Sequence, residues 1–102
     1  MMLHVTTTCP NLDSAKHLAR EALRQRLAAC VNILPGVVSL FHWQGDVDEE
    51  TELQLTFKTT EALGPSLVKL IEEMHPYDLP VITWETVGTT EAATDWLLSE
   101  TL

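Results

Sequence analysis

The sequence predicts an α+β sandwich in which two helices cover one face of an antiparallel sheet. Three observations carry that reading. Leu18, Ala19, Ala22, Leu23 and Leu27 recur at helical spacing, with Lys16, His17, Arg20, Arg24 and Arg26 on the opposite side. Leu53, Leu55 and Phe57 alternate with Glu52, Gln54, Thr56 and Lys58, the pattern of a strand with one buried and one wet face. A length of 102 residues holds a single domain, 1–102, and no second one.

The elements follow in order. Residues 1–8 are β-rich and end in Thr6-Thr7-Thr8, after which Pro10 and Asn11 break the strand. Asn11 or Asp13 caps a helix over about 14–29. Residues 30–33 turn extended, Pro35-Gly36 interrupts, and 37–43 continue as a second extended piece. Gly45-Asp46 marks a turn, and 51–59 form the alternating strand. A second helix over about 61–74 points Leu63, Leu67, Leu70, Ile71 and Met74 inward, with Pro65 in its first turn. His75-Pro76 ends it, because a proline disfavours helical geometry in the residue before it. Residues 80–87 read as a fourth strand that starts at a proline. Thr89 or Thr90 caps a short last helix carrying Ala93, Trp96 and Leu97. The order βαββαβ plus a C-terminal helix is that of the ferredoxin-like split β-α-β sandwich, with strands in the spatial order 4-1-3-2. That topology brings Cys9, Glu50, Glu52 and residues 75–78 to one end of the sheet.

Residues 30–43 would span about 46 Å if fully extended at roughly 3.3 Å per residue, against an expected radius of gyration of about 13 Å. The segment therefore bends at Pro35-Gly36 or projects beyond its own sheet. A projecting hairpin with Leu40, Phe41 and Trp43 needs cover, and a second copy of the chain supplies it most simply. A homo-oligomer is expected.

Fifteen Asp and Glu against six Lys and Arg give a net charge of −9. Nucleic-acid binding, which rests on cations neutralising phosphates, is excluded, and anionic membranes are disfavoured. Cations, neutral ligands and other proteins remain as partners. Cys9 and Cys30 form no CxxC, residues 1–5 carry no export signal, and no apolar run approaches the roughly 20 residues of a membrane span. A reducing cytoplasm with free thiols is expected. GxSxG, HExxH, GxGxxG and Walker loops are all absent, so no enzymatic activity is expected.

Candidate metal ligands gather around His75, with Met74, Asp78 and Cys9. Imidazole suits copper or zinc, while thioether and thiolate are soft ligands that favour Cu(I). The competing structural roles are core packing for Met74 and a helix C-terminal cap for His75. Asp46, Asp48, Glu49, Glu50 and Glu52 could collect hard cations, but lack the ligand ladder of an EF-hand and read as a solvated hairpin tip. Cys30 reads as a small buried hydrophobe, and Cys9 as the more reactive thiol. Trp43, Trp84 and Trp96 read as packing residues, with an inter-subunit cleft of Trp43, Lys58, Tyr77 and Trp84 as a further candidate.

The motifs Thr6-Thr7-Thr8-Cys9-Pro10, Leu27-Ala28-Ala29-Cys30-Val31-Asn32-Ile33-Leu34-Pro35-Gly36, Phe41-His42-Trp43-Gln44-Gly45, Lys58-Thr59-Thr60 and His75-Pro76-Tyr77-Asp78-Leu79-Pro80 follow one another along nearly the whole chain. Together they resemble the CutA family of divalent-cation tolerance proteins. The resemblance implies a ferredoxin-like fold, a homotrimer knit by inter-subunit strands, and a part in tolerance of divalent metals, copper especially, with no catalysed reaction. The family's metal positions fall at Thr7, Met74 and His75. His75 alone keeps the ligand type, and Cys9 lies two residues beyond the thiol's place. His42, Asp46 and Val81 also depart from the usual residues. The expected function is that of a non-enzymatic cytoplasmic trimer that binds divalent or soft metal ions, with copper as the candidate ion and His75, Met74 and Cys9 as ligands. The rival readings are a trimeric small-molecule signalling protein of the PII kind, which six basic residues serve poorly, and a structural trimer.

Overall fold

A computed structural model describes residues 1–102. The elements are β1 (Met2–Cys9), α1 (Leu12–Arg24), β2 (Cys30–Trp43), β3 (Asp46–Thr59), α2 (Gly64–Met74) after a 3-10 turn at Glu61–Leu63, β4 (Thr83–Val87) and α3 (Glu91–Glu100). One four-stranded antiparallel sheet runs β2-β3-β1-β4, the order expected from the βαββαβ pattern. Leu3, Val5 and Cys9 of β1 and Leu55 and Phe57 of β3 meet Leu18 and Ala22 of α1 and Leu67 and Ile71 of α2 in the core.

Asn11 caps α1, its side-chain oxygen accepting from the Ser14 N–H at 2.8 Å. The helix stops at Arg24 rather than near residue 29. Arg26 takes the left-handed conformation, φ +56°. The Leu27 N–H donates to the Ala22 carbonyl and the Arg26 N–H to that of Leu23, a Schellman ending with arginine in place of the usual glycine. The reversal returns Leu27 to the core and leaves Leu23 exposed, where helical spacing had placed it inside. Arg26 also reaches the end of α3, donating to the Glu100 carbonyl, and its own carbonyl accepts from the Leu102 N–H.

The β2–β3 hairpin both bends and projects. Residues from Cys30↔Lys58 to Leu34↔Gln54 pair in register, the ladder shifts at Pro35-Gly36, and pairing resumes from Val37↔Glu52 to Trp43↔Asp46. Gly36, at φ +77°, supplies the left-handed residue of this bulge. Gln44 and Gly45, both at positive φ, form the two-residue turn, so β3 begins at Asp46, well before Thr51. The long arm gives the molecule extents of 46 × 24 × 22 Å. Leu40, Trp43 and Val47 stand exposed on it.

α2 begins with Pro65 in its first turn, and Gly64 lies so close to β1 that a Cβ there would sit 2.6 Å from Leu3 Cδ2. β4 starts at Thr83 rather than at Pro80, and Thr90 caps α3. No helix is long and apolar enough to cross a membrane.

Candidate site at the end of the first strand

The last residues of β1, the base of the hairpin and the segment between α2 and β4 meet at one end of the sheet, as the topology predicts. Pro76 stops α2, so His75 leaves the helix in extended geometry, φ −64° and ψ 138°. Its ring turns back onto β1 and is only 9% exposed. The hydrogen-bond pattern assigns the proton to Nε2. Nε2 donates to the Thr8 carbonyl at 2.8 Å and lies 3.1 Å from Thr7 Oγ1, whose own proton goes to the Val81 carbonyl at 2.9 Å. Nδ1 accepts from the Tyr77 N–H at 3.1 Å. The two rings lie 5.0 Å apart, tilted by 40°.

Glu52 corrects the alternation argument. It was expected on the wet face of β3, yet it is the one buried acid of the chain, 7% exposed. The Tyr77 hydroxyl donates to Glu52 Oε2 at 2.7 Å. Burial opposes its ionisation, but the hydroxyls of Ser39, Tyr77 and Thr8 and the nearby His75 outweigh it and hold the carboxyl below its ordinary value. Burial raises the Tyr77 hydroxyl, and the bond to Glu52 and its charge raise it further. Burial lowers His75 below its usual range against the Thr8 carbonyl and the charge of Glu52. The cluster therefore holds an ionised carboxylate and a neutral imidazole on either side of a tyrosine.

Cys9 is fully buried beside this cluster. Burial pushes its thiol up to about 11, the Glu52 charge adding to the effect and a bond with Ser14 opposing it. It is a protonated, poorly nucleophilic thiol. Met74 packs against the core and Asp78 is exposed. Cys9 and His75 thus share one end of the sheet. No group of three or more His, Cys, Asp and Glu side chains is placed to hold an ion. As built, the end is a closed hydrogen-bonded cluster rather than a preformed metal cage.

The remaining candidates disperse. Asp46, Asp48, Glu49 and Glu50 are exposed along the hairpin. Trp43 lies at the hairpin tip, Tyr77 at Glu52, Trp84 opposite Val5, and Lys58 opposite His4, so no single chain gathers them into a cleft. Cys30 is not the buried hydrophobe expected; it is half-buried and lines a cavity with His4 and Lys58. The pairing of Glu52 with Tyr77 follows from no local sequence pattern. Its one sequence signal is the placement of both residues at the same sheet end.

Residues 3–100 match the family model described as CutA1 divalent ion tolerance protein. A divalent-cation tolerance protein CutA from Thermus thermophilus is 44% identical over 78 residues, which are 76% of this chain and 76% of that protein. The mouse Protein CutA is 40% identical over 72 residues, 71% of this chain and 41% of that longer protein. The chain thus spans about two fifths of the length of the mammalian relative. The solved structure of the divalent cation tolerance protein from Thermus thermophilus superposes with a TM-score of 0.92 at 38% identity, covering 99% of each chain.

Proposed function

Since the chain belongs to the CutA1 divalent ion tolerance family, we propose that it serves the tolerance of divalent metal ions, copper among them, as a non-enzymatic homotrimer that binds the ion. The match over residues 3–100 is the observation that carries this reading. The hairpin supports the assembly. β2 lies at an edge of the sheet, is 14 residues long and leaves one row of backbone groups unpaired, beside exposed Leu40 and Trp43. A strand of a second copy covers both the edge and the apolar side chains. Both cysteines are free, which suits a reducing cytoplasm. The net charge of −9 disfavours nucleic acid and anionic membranes as partners.

An ion taken up at the end of β1 has His75 as nitrogen ligand, Cys9 as thiolate and Met74 as thioether. Each must leave a present partner. His75 Nε2 gives up the Thr8 carbonyl, Cys9 loses a proton held at about 11, and Met74 turns out of the core. Uptake through Cys9 releases that proton, so affinity rises about tenfold per pH unit over the neutral range.

The test is a Cu(I) titration of the full chain under reducing conditions against a calibrated chelator, with mass followed by sedimentation equilibrium. Saturable uptake that rises with pH and is lost in His75→Ala, on a particle of trimer mass, supports the reading. Weak, unsaturable uptake unchanged in His75→Ala assigns the ions to the acidic hairpin and overturns the site. A monomer mass overturns the assembly.

A further inference from the structure

A cavity of about 460 Å³ opens on the face of the sheet turned away from α1 and α2. Leu3, Val5 and Phe57 point into the core, so by the two-residue period of a strand His4 and Lys58 point the other way. The floor of the cavity is a row at one register: Cys30 of β2 stands opposite Lys58 of β3, and Lys58 opposite His4 of β1. Side chains so opposed lie about 5 Å apart at their Cβ atoms. Met2, Val87 and Trp96 supply apolar walls.

Lys58 has no counter-ion. The ion pairs of the chain use Arg24, Arg26 and Lys69, although fifteen acids are present. Beyond His4 the row ends at Glu85 of β4, which is exposed and forms no ion pair with Lys58. A half-buried lysine beside an imidazole and apolar walls is a place where an anion gains a charge-assisted bond and shelters its apolar part. The volume falls within the range of small-molecule sites, which pair apolar walls with a few placed polar groups. The cavity lies at the opposite end of β1 from Cys9, so it is independent of the metal reading.

We propose that this cavity binds a small organic monocarboxylate, its carboxylate on Lys58 and His4 and its apolar body against Met2, Val87 and Trp96. One ammonium does not balance a polyphosphate, and a net charge of −9 repels such a ligand further. The binding class is therefore a singly charged acid with an aromatic or branched aliphatic body.

The test is an NMR titration of the full chain with phenylacetate and with its uncharged amide, following the indole N–H of Trp96, assigned from the spectrum of Trp96→Phe. The expected result is a saturable shift with phenylacetate and at least about tenfold weaker binding of the amide, the worth of one charge-assisted bond. Lys58→Gln removes the preference between the two. If that variant does not fold, raised salt on the wild-type protein is to weaken phenylacetate and leave the amide unchanged. Equal affinity for acid and amide, absence of any saturable shift, or a preference that survives both Lys58→Gln and salt overturns the proposal.

Discussion

The Tyr77 hydroxyl donates to Glu52 Oε2 at 2.7 Å and so ties the segment ahead of β4 to the strand position where the hairpin leaves the sheet. Glu52 is buried, and the chain there holds it ionised mainly through the hydroxyls of Ser39, Tyr77 and Thr8, with His75 the smallest contribution. The bond is therefore both a link between distant segments and the solvation of a carboxylate.

Removing that donor is expected to destabilise the fold. Tyr77→Phe leaves Glu52 short of a partner and costs about 1–3 kcal/mol at neutral pH, the range for a bond to a buried charged group. The folded carboxyl titrates below its ordinary value of 4.5. Its ionised form thus contributes stability that is complete above about 4.5 and is lost as pH falls through the lower, folded value. The gap between wild type and Tyr77→Phe is expected to narrow in acid. Urea midpoints at fixed protein concentration, taken at about pH 7 and about pH 3, check this; a gap that stays constant would remove Glu52 ionisation from the explanation.

His75 is expected to add a second loss of stability on the same acid limb, one that begins at higher pH than that of Glu52. Burial lowers its folded value below 6.5, so between the two values the unfolded chain binds more protons than the folded one. Stability is complete above about 6.5, declines as pH falls from there, and levels off below the folded value. His75→Gln keeps an N–H for the Thr8 carbonyl and carries no titrating group. Its midpoints are expected to be flat over the window in which the wild type slopes. A slope retained in His75→Gln would assign the titration to another group.

Much of this was legible in the sequence because it follows from local pattern and topology. The apolar spacing of α1, the Pro76 stop after α2 and the βαββαβ order suffice to place Cys9, Glu52 and His75 at one sheet end. What escaped was decided by contacts between distant residues. Glu52 has the sequence signature of a wet face, yet Tyr77, 25 residues away, covers it. Helical spacing runs on through Leu27, but the left-handed backbone at Arg26, tied to Glu100, ends α1 early. Cys30 lies among small apolar neighbours in sequence, while its strand parity turns it with Lys58 and His4 to the open face.

The close approach of α2 to β1 gives a packing prediction. A Cβ at Gly64 would meet Leu3 Cδ2 at 2.6 Å, and Leu3 is itself buried in the core. Gly64→Ala is expected to cost about 1–3 kcal/mol by overpacking, despite the better helix propensity of alanine. Leu3→Ala removes the clashing atom, so Gly64→Ala added to Leu3→Ala is expected to be neutral or stabilising. A double-mutant cycle by urea unfolding reads the coupling directly. Additive losses would show that the helix shifts rather than clashes.

Thr59 offers the converse case. It closes β3 opposite Leu3, is fully buried, and its Oγ1 has no hydrogen-bond partner. A buried hydroxyl without a partner carries a desolvation cost that the folded state does not recover. Thr59→Val keeps the branched shape and the strand preference while removing the polar atom. It is expected to raise stability by about 1 kcal/mol, read as an upward shift in the urea midpoint with an unchanged slope. Thr59→Ser keeps the orphaned hydroxyl and loses the methyl group, so it is expected to fall below wild type by about 1 kcal/mol. A valine variant less stable than wild type would show that the hydroxyl is satisfied inside the folded chain, as by a buried water.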